Sequence, residues 1–136
     1  MLECAAMKKL TPVLCVDAIE PSLRFWVDSL GFEKTVEIPE GDKLGFVALT
    51  KGNVEVMYQS RASLEKDVPA IAASLVPSRV TLYLEIDDFD DVVERIAGYE
   101  VVVPKRIAPY GATEIGVKEP AGNIVMFAHF AAPAEA

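Results

Sequence analysis

The sequence predicts an α+β domain in which one strand–helix–three-strand unit (βαβββ) occurs twice. Three observations predict it. Short β-branched or alternating runs recur between turns rich in Gly, Pro and Asn; two stretches instead carry apolar residues at helical spacing; and the two halves match at several points. Val16-Asp17 corresponds to Ile86-Asp87 at an offset of 70, Gly31-Phe32-Glu33 to Gly98-Tyr99-Glu100 at 67, and Gly52-Asn53-Val54 to Gly122-Asn123-Ile124 at 70. The drop and recovery of the offset predict a second helix about one turn shorter, with the loss made up around Ile107 to Ala112.

In the first unit, residues 10–16 read as a strand bounded by Asp17, with Pro12 near its start. Ile19, Leu23, Trp26, Val27 and Leu30 then form a helical face, Pro21 fits the first turn and Gly31 the C-terminal cap. Strands over 32–38, 44–50 and 54–60 follow, separated by Pro39-Glu40-Gly41-Asp42 and by the tight turn Lys51-Gly52-Asn53. In the second unit, 80–86 is a strand, and Asp87 or Asp88 caps a helix whose face is Phe89, Val92, Val93 and Ile96. Gly98 ends that helix, and strands over 99–104, 112–117 and 123–130 complete the repeat. Between the units, Ser63 is a possible cap for one or two short helices interrupted at Pro69. The expected organisation is one domain over 1–136, with repeats at about 8–59 and 79–130 and a connector at 60–78; the last residues, AAPAEA, are small and polar enough to fray.

A chain of 136 residues can bury about two-thirds of its unfolded surface. Its apolar fraction of 51% and mean hydropathy of +0.27 leave apolar surface for a lined cavity, a subunit contact or both. A net charge of −8 repels phosphate backbones, so nucleic acid is not an expected partner. No run approaches the roughly 18 apolar residues of a membrane span, and the lysines of the N-terminal stretch follow its apolar patch, unlike those of a signal peptide. A cytoplasmic location is expected. Cys4 and Cys15 form neither a CxxC pair nor a disulfide framework and suit a reducing compartment.

Phe25-Trp26 before Leu30-Gly31-Phe32, together with Glu119-Pro120-Ala121-Gly122-Asn123, resembles the paired motifs of the vicinal oxygen chelate superfamily. That family includes glyoxalase I, the bleomycin-resistance proteins and extradiol dioxygenases; Glu119 stands where its turn has Asp. The resemblance covers about residues 8–130 and implies curved mixed sheets around a cavity. Metal-dependent members place one ligand on each of four strands, and the resemblance maps those places to Thr11, Glu55, Thr81 and Met126. Only Glu55 is a competent ligand for zinc, iron or manganese, so no metal site of the usual type and no cofactor are expected. Superposing the two Gly-Asn turns would instead put Val56 at the cavity. Alternation favours Glu55, since Val54, Val56 and Tyr58 make one apolar face while Glu55, Met57 and Gln59 make the other.

The expected cavity face therefore holds Glu55 as the candidate catalytic or binding carboxylate, with Thr11, Val13, Cys15, Met57, Thr81, Tyr83 and Met126 as ligand contacts. The competing reading of Glu55 is a solvated or salt-bridged surface carboxylate. His129, the only histidine, shares the parity of Val125 and Phe127 and reads as structural; Cys15 reads as an inert thiol. Asp87, Asp88, Asp90 and Asp91 lack the Gly and Glu of a calcium loop and read as a charged helix start. Phe25, Trp26 and Phe32 read as packing residues, whereas Tyr58, Tyr83 and Tyr110 can each offer a hydroxyl to a ligand. The resulting expectation is a metal-free protein that binds a small organic ligand of the bleomycin-resistance kind, and the resemblance implies a homodimer. The alternatives are an isomerase, lyase or dioxygenase with an atypical metal site or with Glu55 as general base, and an interaction module whose pocket its own side chains fill.

Overall fold

The computed structural model describes residues 7–76 and 78–131, so Cys4 and most of the C-terminal AAPAEA segment lie outside the described residues. Within them the chain forms eight strands: β1 Val13–Val16, β2 Glu33–Glu40, β3 Lys43–Lys51, β4 Val54–Ser60, β5 Thr81–Glu85, β6 Val101–Ile107, β7 Ala112–Lys118 and β8 Ile124–Phe130. The helices are α1 Glu20–Leu23, which continues as a π-helical segment Arg24–Ser29, then α2 Arg61–Asp67, α3 Pro69–Ser74 and α4 Phe89–Arg95. Two open four-stranded mixed sheets result, ordered β1-β4-β3-β2 and β5-β8-β7-β6. In each, the first and last strands of a repeat pair in parallel and the remaining neighbours are antiparallel. The duplicated βαβββ pattern is the architecture of the molecule.

The chain separates into two compact units that do not coincide with the repeats. The first combines the segment up to Ile19 with Phe32–Ala73; the second takes Glu20–Gly31 together with the chain from Ser74 onward. The helix of the first repeat thus packs with the second sheet. Trp26 and Leu30 are buried as the sequence predicts; Ser22 and Phe25 are buried too, while Leu23 and Val27 of the predicted face are half-buried. Leu30 N–H bonds to Phe25 O at 3.2 Å, the i to i−5 spacing of π winding, which shifts the inward face relative to an ideal helix. Phe25 meets Trp26 edge-on at 5.1 Å and Tyr99 edge-on at 4.9 Å, and lies 6.4 Å from Phe127 on β8.

Several local expectations hold. Gly31 and Gly98 follow their helices at φ 79° and 97°, a left-handed cap that suits glycine. Asp88, the second of the two candidate caps, accepts from Asp91 N–H at 3.1 Å, and Asp91 pairs with Arg95 at 2.8 Å. The second helix is shorter, as predicted: seven residues, against four α and six π residues in the first. Two expectations change. The connector cap is Ser60, not Ser63: β4 runs straight into α2, and the Ser60 hydroxyl accepts from Ser63 N–H at 3.1 Å. Strand β2 runs through Pro39 instead of stopping before it, and β6 runs past its expected end at Pro104 to Ile107. Both are edge strands with register shifts near the proline, where a missing N–H leaves no ladder bond unmade.

The Glu119–Asn123 turn has a structural role that its burial makes plain. Glu119, 1% exposed, accepts from Asn123 N–H at 2.7 Å and from its side-chain amide at 3.2 Å, and from the Ser22 hydroxyl at 3.4 Å. Asn123 Oδ1 in turn accepts from Val80 N–H at 2.9 Å, which ties the turn to the start of β5. A buried carboxylate without such donors would be costly.

Candidate functional site

In the first unit, alternation places the residues of β4 as the sequence expects. Val56 and Tyr58 are 2% and 0% exposed, opposite buried Leu49 and Val47, while Glu55, Met57 and Gln59 lie on the other face. Parallel pairing sets Val13 beside Met57 and Cys15 beside Gln59 on that face. Glu55 is brought together with Thr11, whose hydroxyl donates to it at 3.2 Å, and with Lys9, whose ammonium sits 2.6 Å away. The Lys9 bond, before all other causes, holds the Glu55 carboxyl below the usual carboxylate range. A carboxylate so committed is a weak base. Burial pushes the Cys15 thiol up, which keeps it protonated.

The same face carries a cavity of about 500 Å³ at the other end of the strands. Gln59 pairs with Phe46 on β3, and Phe46 with Ile38 on β2; these three, with Pro39 and Glu40, form its walls. Ser63, Lys66 and Asp67 of α2 close it on one side. Gly45 lets α2 approach: a Cβ there would stand 2.8 Å from Glu40 Cβ and 3.0 Å from Ser63 Cβ. Inside, the Gln59 amide donates to the Ser63 hydroxyl at 3.2 Å; at the mouth Lys66 pairs with Glu40 at 2.5 Å. None of Thr11, Val13, Cys15, Glu55 or Met57 lines this space. A glycine inside an otherwise apolar strand was the sequence signal for the close approach.

In the second unit, Thr81, Tyr83 and Met126 lie on one face of β5 and β8, where Tyr83 pairs with Met126 and Met126 with Gly116. The same face holds Glu114, paired with Ala128 on β8 and with Arg106 on β6. Glu114 has a side chain with 0% exposure, and three donors converge on it: Tyr83 O–H at 2.5 Å, Tyr110 O–H, and Arg106 Nε at 3.1 Å. The Tyr110 and Tyr83 hydroxyls, then Arg106, hold its carboxyl below the usual range. Burial and the bond to Glu114 push the Tyr83 phenol well above its ordinary value. Tyr83 and Tyr110 have exposed rings, whereas Tyr58 is buried. His129 donates from Nδ1 to Ile86 O at 3.0 Å, an end-of-strand structural bond.

Comparing the two registers aligns the repeats residue by residue. Val13 and Met57 correspond to Tyr83 and Met126, and Phe46 and Ile38 to Glu114 and Arg106. Glu55 then corresponds to Ile124 and not to Met126, because the matching Gly-Asn turns conceal a one-residue difference in the strands that follow. Neither Thr11, Glu55, Thr81 and Ile124 nor Val13, Met57, Tyr83 and Met126 includes more than one carboxylate or any imidazole. Among the described residues, no group of three or more His, Cys, Asp or Glu could hold a metal ion. With Glu55 already bound to an ammonium, the residues present do not fit a transition-metal site of the family type.

The sequence profile of the Glyoxalase/Bleomycin resistance protein/Dioxygenase superfamily matches residues 9–127. No curated protein sequence matches the chain. Among solved structures, a glyoxalase/bleomycin resistance protein/dioxygenase from Nocardioides superposes with a TM-score of 0.70 at 18% identity, over 98% of this chain and 92% of that one. TioX from Micromonospora sp. ML1 gives 0.71 at 17% identity, over 92% of this chain and 100% of that one. Lactoylglutathione lyase from Agrobacterium tumefaciens gives 0.69 at 18% identity, over 91% of this chain and 94% of that one. At such identities the likeness is one of fold. With the profile spanning both repeats, the chain belongs to the glyoxalase/bleomycin resistance protein/dioxygenase superfamily.

Proposed function

We propose that this protein is a small-molecule-binding member of the superfamily that works without a bound metal, as a homodimer in the cytoplasm. The observation that carries the reading is the cavity of about 500 Å³ in the first unit, inside the range of roughly 300–1,000 Å³ typical of organic-ligand sites. Its lining suits such a ligand: Phe46, Ile38 and Pro39 supply apolar wall, and Gln59 and Ser63 supply a few fixed polar atoms. The bleomycin-resistance branch in the family's description makes an antibiotic-like organic molecule a natural candidate. On the same face, Glu55 with Thr11, and Val13, Cys15 and Met57, extend the proposed ligand surface; Thr81, Tyr83 and Met126 occupy the corresponding face of the second unit.

The donor chemistry described above supports the metal-free part. Exposed Val36 on β2 and Val101 and Val102 on β6 support self-association, since apolar edge strands are seldom left uncovered. Among the described residues, no helix is long and apolar enough to cross a membrane.

The experiment is native mass spectrometry and elemental analysis on protein purified without chelator. The reading expects a dimer mass and no stoichiometric transition metal, with a co-purified organic mass where the ligand is available in the cell. A stoichiometric metal would contradict it.

A further inference from the structure

The duplication places two chemically opposite versions of one position in the two sheets. Where the first repeat sets Phe46 against Ile38, the second sets Glu114 against Arg106. The first version is part of an apolar cavity wall. The second is an ion pair whose carboxylate is fully buried and whose guanidinium is 51% exposed. Partial exposure spares the guanidinium much of its desolvation cost and keeps it within reach of a ligand.

The orientation of the donors matters more than the pair itself. Both phenols donate to Glu114 Oε2, and Tyr83 O–H also lies 3.4 Å from the Tyr110 oxygen, so neither proton is left for a ligand. The phenol oxygens repel an anion placed on them. Arg106 meets Glu114 through Nε and bonds to the Tyr110 hydroxyl as well, which fixes the plane of the guanidinium and leaves further donors of its five N–H groups for a ligand. A planar oxyanion therefore has one place to go in this cluster, and a carboxylate matches that fork in geometry.

Next to the cation lies aromatic surface. Tyr83 and Tyr110 are 47% and 58% exposed, and Tyr110 stacks with Phe130 at 6.0 Å and 26°. The ring faces offer a platform for a flat apolar body, whose contact with aromatic side chains is favourable beyond area burial alone. A chain with a net charge of −8 and a single available guanidinium favours a monoanion over a phosphate-like dianion.

We propose that Glu114, Arg106, Tyr83 and Tyr110 form a second binding site that takes an aromatic monocarboxylate, its carboxylate on the Arg106 amines and its ring against the tyrosines. Glu114 is a positioning residue here: it aims the guanidinium and both phenols and does not touch the ligand. This site lies wholly in the second unit and stands independently of the cavity in the first.

The test is calorimetric titration of the purified protein with 2-naphthoate and with its neutral analogue 2-naphthamide. Saturable naphthoate binding is expected, at least tenfold tighter than naphthamide, and this comparison needs no variant. Arg106→Gln should abolish that preference while naphthamide binding stays the same, and Arg106→Lys, which keeps the charge but loses the fork, should fall between. The cavity-filling variant Ser63→Phe should leave naphthoate binding unchanged. Naphthoate binding that is absent, that equals naphthamide binding, or that survives Arg106→Gln overturns the proposal. Loss in Ser63→Phe with retention in Arg106→Gln also overturns it, while leaving the first-unit cavity reading intact.

Discussion

Three side-chain donors converge on the buried Glu114 carboxylate, and its acid response follows from them. The hydroxyls of Tyr110 and Tyr83, and then Arg106, keep it ionised below the ordinary value of 4.5. A depressed folded-state pKa contributes stability that is fully present above the unfolded value and lost as pH falls through the folded one. Thermal melts across pH should therefore show the wild type losing stability below pH 4.5 more steeply than Glu114→Gln; parallel curves would remove Glu114 from the acid transition. At Gly45 the argument is steric. Gly45→Ala puts a methyl 2.8 Å from Glu40 Cβ, so overpacking should cost about 1–3 kcal/mol in a denaturant titration. None of these roles could be read from residue type alone. A Glu in the middle of a short strand and a Gly inside another were visible signals, but which donors surround the first and which helix meets the second depend on tertiary register.

At the scale of elements, strands and caps were legible because each carries a local physical signal. Alternation put Val56 and Tyr58 on the buried face, and Gly31, Gly98 and Asp88 sit where helix ends require them. Register between distant strands was not legible, which is why Glu55 corresponds to Ile124 despite the matching turns. The predicted face of the first helix holds at Ile19, Trp26 and Leu30, while Ser22 and Phe25 are buried in place of a fully buried Leu23 and Val27, because the π winding is a tertiary effect. Because Glu20–Gly31 belongs to the second unit, its amides should exchange with deuterium on the timescale of β8 and not of β4. Phe25→Ala, which removes a fully buried ring against Tyr99 and Phe127, should cost about 3–5 kcal/mol by equilibrium unfolding. In the Glu119 turn, Asn123→Ala removes an amide donor from a buried carboxylate and the acceptor of Val80 N–H; a loss of roughly 1–3 kcal/mol for each group is expected in the same measurement.

For the whole molecule, the duplicated pattern was the strongest sequence signal, and it led to the family through motifs at both ends of the chain. The repeats differ in charge at several equivalent positions, among them the cross-strand pair that is Phe46 with Ile38 in one and Glu114 with Arg106 in the other. That divergence was hidden in the sequence, because Arg106 and Glu114 come together only through a bulged edge strand. The central claim, that this member of the superfamily binds an organic molecule in a cavity without a metal, is tested most directly by fluorescence titration of chelator-treated protein with the neutral probe N-phenyl-1-naphthylamine. The account predicts one saturable site per chain, unchanged by added zinc, manganese or ferrous iron, and weakened at least tenfold by Ser63→Phe in the wall of the cavity. Binding that appears only when metal is restored, or that Ser63→Phe leaves untouched, would contradict it.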